Sequence, residues 1–326
     1  MPFKYFQSRR SSVNRAPQKK RNWSDYNKRM KMRGDIAIWL SPDVVQQWHV
    51  MDRNYDGNGA PNLYSDMAIL TVHEIRQVFK LPLRQCEGFV NALFTLMKID
   101  LRCPSFSTLS KRLRTLKLTR PFYRLAHANA QDVKAIAIDS TGLKCYGQDE
   151  WALEKHGETR QKREWRKLHI TVDHHHIIQT SELTDRKVHD MEVIDNLIAP
   201  MVNNVNQVTA DTAYDANKIY FSLQNKFPNV DIVIPPKSGS TYNKESEWLR
   251  NRTIEEIKCY GRSAWQTKHR YGNRNNSECA IGRYKRILGN KLHAREFVRQ
   301  QQEAIIGCSI LNKMMCVSLA DVRPKF

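Results

Sequence analysis

The 326-residue chain carries 53 Lys and Arg against 33 Asp and Glu, a formal net charge of +20, and 40% of its residues are hydrophobic. That length allows a catalytic domain with its own core plus one or two smaller modules, and the charge favours a polyanionic partner. Seven scattered cysteines without a Cys-x-x-Cys pair argue against a disulfide framework or structural zinc, and the lack of a signal-peptide core or a run of eighteen apolar residues argues against export or a membrane span.

Residues 1–34 hold eleven Lys/Arg against one acid, Asp25, which is half the formal charge in about a tenth of the length. No apolar anchor adjoins this basic stretch, so DNA is a better partner for it than a membrane surface. Trp23, Trp39 and Trp48 are interleaved in it, and the turn-rich residues 56–61 read as a linker closing a DNA-contacting segment over 1–60. Asp52, Asn54, Asp56 and Gly57 imitate the start of a calcium loop. Its twelfth position is Leu63, where a bidentate glutamate is needed, so calcium is not expected.

From Ser65 to about Tyr123 the periodicity is helical. Ser65 and Asp66 cap a helix with Ile69, Val72, Ile75 and Phe79 on its apolar face. Pro82 opens a second with Cys86, Phe89, Leu93 and Leu96, and residues 104–107 cap a third with Leu109, Leu113 and Leu116 inward. The outward face of the third carries Lys111, Arg112 and Arg114, within a stretch (101–125) of seven basic residues and no acid. Short helices ending in a basic one describe a helix-turn-helix-type DNA-binding region over 61–128; an ordinary three-helix bundle with a charged surface is the alternative.

The remainder, 129–320, alternates strands and helices: strands at 133–138, 165–172 and 176–183, a helix at 189–202, a strand at 206–210, a helix at 215–226 and a strand at 230–234. Three successive strands followed by alternating helix and strand is the order of a ribonuclease H-like α/β fold, a mixed sheet with helices on its faces. Residues 236–270 read as an insertion, 276–290 as a helix carrying Glu278, and 299–320 as a closing helix. His174, His175 and His176 are consecutive, so in a strand they alternate faces and cannot share one ion; they read as a turn.

Asp139 is expected at the end of the first strand, leading into a turn-like Ser140-Thr141-Gly142, and Asp211 at the end of the fourth. Carboxylates at the carboxyl ends of neighbouring strands converge where open α/β sheets bind ligands. With Glu278 from a helix, three acids would meet; their mutual repulsion needs cations, and all-oxygen ligation suits Mg²⁺ or Mn²⁺. Asp185, Asp190 and Asp215 are the competing acids, and Asp215, four residues past Asp211, reads as a cap or a supporting group.

Tyr271, Arg274, Glu278 and Lys285 fall within about 60° of one another on a helix that reaches back to Tyr271. A face bearing a phenol, a guanidinium, a carboxylate and an ammonium is poorly suited to burial. These four residues, with Asp139 in Ile-Asp-Ser-Thr-Gly-Leu-Lys and Asp211 in Ala-Asp-Thr-Ala-Tyr-Asp, resemble the DDE triad and YREK signature of bacterial insertion-sequence transposases, in particular the insertion-sequence-five family. The resemblance spans roughly residues 20–315, with residues 22–27 and 165–169 also carrying it.

The resemblance implies an Mg²⁺-dependent transposase with a ribonuclease H-like fold, in which Asp139, Asp211 and Glu278 hold two metal ions astride a scissile phosphate. It implies DNA-backbone contacts from Arg274 and Lys285, with Tyr271 stacking or hydrogen-bonding beside them. Lys144, five residues beyond Asp139, is a further phosphate candidate, and Trp248 or Trp265 could stack an unpaired base. The expected partner is double-stranded DNA, both element ends and target, bound by a homodimer or larger assembly without a small-molecule cofactor. A bacterial cytoplasm, at the nucleoid, is the expected location. Two rival readings share these residues: a nuclease of the same fold that does not join strands, and a DNA-binding protein whose catalytic domain is only a scaffold.

Overall fold

The computed structural model describes residues 22–51, 61–121, 133–145, 165–201, 203–237, 239–240, 242 and 249–319. The basic first 21 residues, the calcium-like stretch 52–57, the linker residues 56–60 and Trp248 lie outside them. Among the described residues no helix is long and apolar enough to cross a membrane.

The N-terminal third is helical: α1 (Trp23–Met32), α2 (Pro42–Gln46), α3 (Asp66–Phe79), α4 (Leu83–Leu96) and α5 (Phe106–Thr115). The expected caps are in place. Ser65 accepts the Ala68 N–H at the start of α3, Pro82 precedes α4, and Ser105 accepts the Thr108 N–H at the start of α5. Each side-chain cap satisfies a backbone donor that the helix itself cannot.

Ile69, Val72, Ile75, Cys86, Leu109, Leu113 and Leu116 are buried as their spacing predicts. Phe79 and Leu96 are not; they close their helices on the surface, and Phe79 rests on Phe89 with ring centroids 5.1 Å apart. Periodicity assigns a face but not how far along the helix its neighbours reach. Trp39 and Trp48 are also core residues: the Trp48 indole donates to Arg102 O (2.9 Å) and meets Phe94 edge-on, while Trp23 stays exposed.

The sheet comprises β1 (Ala135–Lys144), β2 (Trp165–Asp173), β3 (Ile178–Asp185), β4 (Gln207–Thr209) and β5 (Asp231–Val233), in the order β3-β2-β1-β4-β5. The first three pair antiparallel; β4 runs parallel to β1, and β5 to β4. The expectation of a mixed α/β sheet is met. His174 to His176 form the turn between β2 and β3, with His176 in the left-handed region at φ 63°.

The strand carrying Asp139 is longer than its sequence suggests. Ser140, Thr141 and Gly142 do not turn; β1 continues to Lys144, paired residue by residue with β2 from Ile136↔Asp173 to Lys144↔Trp165. Asp139 therefore lies inside β1, opposite Ile170. Antiparallel pairing overrides local turn preference here. Gly142 suits that pairing because a Cβ there would come 3.2 Å from the Trp165 ring.

One sheet face packs α6 (Asp190–Ile198) and α7 (Asn217–Lys226) over a core of Ile136, Ile138, Ile194, Val208, Leu223 and Phe227. The other packs α10 (Asn275–Ile287) and α11 (Phe297–Leu319); α8 (Leu249–Tyr260) and α9 (Arg262–Lys268) come from the expected insertion. This second core runs without a break from Trp39, Ile69 and Leu113 to Leu168, Ile170, Tyr284 and Leu311, so the N-terminal helices and the sheet share it. Gly307 of α11 allows the close approach of α10: a Cβ there would sit 2.7 Å from the Tyr284 ring. A buried ion pair from Lys313 of α11 to Glu74 of α3, 3.0 Å, ties the helical third to the rest.

Candidate active site

Strand register brings the first two acids together. Ala137 of β1 is the parallel partner of Thr209 of β4. Two residues further on each chain stand Asp139 and Asp211, so both carboxylates leave the sheet side by side on one face. Asp211 sits just beyond β4, where its side chain accepts the Ala213 N–H (2.9 Å) as N-cap of a short 3₁₀ turn, Thr212–Tyr214.

The third acid arrives from α10, which packs on β1 and β2. A 3₁₀ turn, Tyr271–Arg274, leads directly into this helix. That turn is pinned to the sheet: Asn273 donates to Gln207 Oε1 at 2.7 Å, and Gln207 donates to His269 O at 2.9 Å. The α-helix does not reach back to Tyr271 as expected: it begins at Asn275, so Tyr271 and Arg274 lie on the 3₁₀ turn before it, while Glu278 and Lys285 share one face of α10.

The three acids feel one another electrostatically. Burial first, then the negative charges of Asp211 and Glu278, push the Asp139 carboxyl up to about 6, against the pull of the Ser140 N–H (2.8 Å) and of Arg274. Glu278 meanwhile is held by Arg274, with Nη2 2.5 Å from Oε1. Among the described residues, no three His, Cys, Asp or Glu side chains stand close enough to hold a single metal ion. The donor set still fits a hard divalent cation, because it is all carboxylate oxygen.

Tyr271 is half-buried. Burial raises its pKa, Asp211 and Glu278 raise it further, and Arg274 opposes them from 5.9 Å above its ring. Trp265, a candidate base-stacking residue from its sequence position, is instead buried in the small core of α8 and α9, its ring 5.8 Å from that of Tyr271. Lys285 is exposed on α10. Lys144 is exposed at the end of β1, an odd number of residues from Asp139, so its side chain leaves the opposite face. On α5, Lys111 and Arg114 are exposed, and Arg114 pairs with Glu296 at 3.2 Å. Arg112 is largely buried, tied to Asp66 and to Tyr64 O.

One neighbour of the site, Tyr214, carries no sequence signal strong enough to single it out, whereas Asp215 is the acid whose spacing from Asp211 reads as a cap or supporting group. Tyr214, three residues past Asp211, is buried, and its hydroxyl is held protonated far above its usual range by burial and then by Asp190, Asp139 and Asp211. Asp215 is buried as well. Arg250 of α8 clamps it (2.7 and 3.1 Å) and the Lys237 N–H donates to it (3.0 Å), which fastens the insertion to the end of β4. Asp190 lies across the sheet from the acids, bound to Lys167 at 2.9 Å and to Ser140 at 3.3 Å.

Comparison with known proteins decides the family. A model described as a transposase DDE domain matches residues 131–313, more than half of the chain, and a second with the same description matches 31–148. The chain belongs to the DDE transposases. The longer match contains Asp139, Asp211 and Glu278 together. Among solved structures, a pre-cleavage Mos1 transpososome is matched at 10% identity over 73% of this chain and 82% of that one, with a TM-score of 0.23. A Mos1 transposase paired-end complex with left transposon end is matched at 10% identity over the same shares, with a TM-score of 0.22.

Proposed function

We propose that this DDE transposase binds the terminal inverted repeats of an insertion sequence, cleaves DNA at its ends and joins the freed 3′ ends to target DNA. The observation that carries the proposal is the side-by-side placement of Asp139 and Asp211 two residues past a parallel register pair, with Glu278 facing them from α10. The strand order, three antiparallel strands followed by two parallel ones, supports a ribonuclease H-like reading of the sheet. The Tyr271, Arg274, Glu278, Lys285 run supports placement in the insertion-sequence-five branch.

Asp139, Asp211 and Glu278 would hold Mg²⁺, or Mn²⁺ in its place. The chemistry such ions supply when bound is a lowered pKa for the attacking water or 3′-hydroxyl and stabilisation of the leaving oxygen. Arg274 would exchange its bond with Glu278 for one with a DNA phosphate, releasing the carboxylate into the site. Lys285, on the same face, would hold the backbone further along, and Tyr271 would bound the site beside the scissile position. Because in-line displacement needs no covalent enzyme intermediate, one site serves hydrolysis and strand transfer alike.

Helices α3 to α5 are the proposed DNA-reading region, with Lys111 and Arg114 outward, and joining two ends calls for a dimer or larger assembly. The test is incubation of the protein with Mg²⁺ and DNA spanning the gene and its flanking sequence. Nicks at fixed positions bounding the element, and transfer of labelled 3′ ends into a second DNA, are expected. Cleavage without transfer would assign a nuclease, and binding without cleavage an inactive scaffold. Asp139→Ala, Asp211→Ala and Glu278→Ala should each abolish both reactions.

A further inference from the structure

A cavity of about 600 Å³ opens between the α3–α4 junction and the segment that follows α10. It is lined by Arg76, Lys80, Arg84, Lys291 and Arg295, with Glu303 as its one carboxylate. Glu303 is buried and already occupied: it accepts the His293 N–H (2.9 and 3.1 Å) and the Ala294 N–H (2.8 Å), and so shapes the wall. Five cations around one concavity, with that carboxylate turned to the backbone, make an electropositive site.

Two further features point to an anion. Helix α4 begins here, at Pro82, with no side-chain cap and no acid in its first turn, so its first backbone N–H groups and the positive end of its dipole meet the cleft. Arg76 and Arg84, six and two residues from Pro82 on either side, bring two guanidinium groups to the lining of the same cleft. Lys80 and Arg84 are exposed at the mouth, and Arg84 lies over the Phe106 ring at 4.5 Å, which holds the guanidinium in place.

The cleft reaches the C-terminal end of the helix that carries Glu278. Tyr284, Leu288 and Gly289 line it and belong to α10 or its end, the helix that carries Glu278 and Lys285. Lys285 lies one turn before Gly289, whose N–H donates to Lys285 O at 3.1 Å. From Glu278 to Gly289 is about 16 Å along a helix, or roughly five base pairs of duplex.

Resting on the transposase reading above, we infer that the cleft between α3, α4 and the end of α10 is a phosphate-backbone clamp for the duplex leading away from the cleavage point. The helical third thereby holds DNA with the face that adjoins the catalytic domain, besides the outward face of α5. The contact is with backbone and carries no sequence preference.

The test uses the full chain and a fluorescent 30-base-pair duplex, titrated from about 50 to 300 mM salt. Lys80→Glu/Arg84→Glu is compared with Lys187→Glu/Lys218→Glu, an equal charge change on exposed residues elsewhere. The cleft pair should weaken binding roughly tenfold or more and reduce the slope of log K against log salt by about two, while the control pair changes either little. Lys80→Gln/Arg84→Gln should give the same slope change at unaltered melting temperature, which separates lost contacts from unfolding.

Equal weakening by both Glu pairs would reduce the effect to net charge and overturn the clamp. So would a cleft pair that binds duplex as tightly as wild type. Sub-millimolar binding of inorganic phosphate that the cleft pair loses while keeping duplex affinity would reassign the site to a small anion. A wild type that binds no duplex would instead sink the functional reading itself.

Discussion

Arg274 and Glu278, one helical turn apart, form an ion pair in which Nη2 lies 2.5 Å from Oε1, so the guanidinium expected to contact DNA neutralises an acid expected to hold metal. Any cation entering the site must compete with it. The Glu278 side chain is half-exposed, and such pairs are worth roughly 0.2–1 kcal/mol. Arg274→Ala should therefore tighten Mn²⁺ binding in the absence of DNA by up to about fivefold while weakening duplex binding. Titration of Mn²⁺ followed by electron paramagnetic resonance measures the first effect. Unchanged or weaker Mn²⁺ affinity would remove the competition from the mechanism.

Asp139 sets a pH dependence of known sign. Its carboxyl titrates at about 6 in the fold, above the unfolded value of 3.8, so the folded state holds the proton more tightly. The stability this contributes is complete below about pH 4 and is lost as pH rises through 6. Asp139→Asn should raise the melting temperature at pH 7.5, by at most about 3 kcal/mol in stability, and change it little at pH 4. Mg²⁺ should stabilise the wild type at pH 7.5 and leave Asp139→Asn unmoved. Differential scanning calorimetry at the two pH values is the measurement.

Lys313 and Glu74 are both nearly inaccessible, and the Lys313 ammonium also lies 4.8 Å from the Trp39 ring centre. Removing one partner strands a buried charge. Lys313→Met should destabilise the protein by about 3–5 kcal/mol, and Lys313→Met/Glu74→Leu should recover most of that. Urea unfolding of the two variants tests the asymmetry.

The Arg250 clamp on Asp215 joins the insertion to the end of β4. Arg250→Ala leaves Asp215 buried without its cation and should cost about 3 kcal/mol. Helix α8 should become sensitive to limited proteolysis, with Mn²⁺ affinity at the three acids preserved. Protection of α8 equal to wild type would show that other contacts hold it.

Much of this was legible in the chain. Ser65, Pro82 and Ser105 mark their helix starts because capping is local, and the apolar runs ending near Asp139 and Asp211 mark strands because burial on both faces requires them. Local signals failed where a distant partner intervened. Ser140-Thr141-Gly142 has turn composition, yet β2 holds it extended; Arg112 looks like a groove-reading residue, yet Asp66 claims it; Trp265 looks available for stacking, yet it fills the core of the insertion.

By itself the sequence determined the chemical types: a basic chain, three acids in order, and a helix with Glu278 and Lys285 on one side. Tertiary structure decided which of these groups meet. The β1–β4 register carries Asp139 and Asp211 to the same end of the sheet, and α10 packing brings Glu278 within electrostatic range of Asp139. Interactions between residues some seventy and a hundred and forty positions apart depend on pairing and packing that local periodicity does not encode, and the same holds for the cleft that α3, α4 and α10 form only by sharing a core.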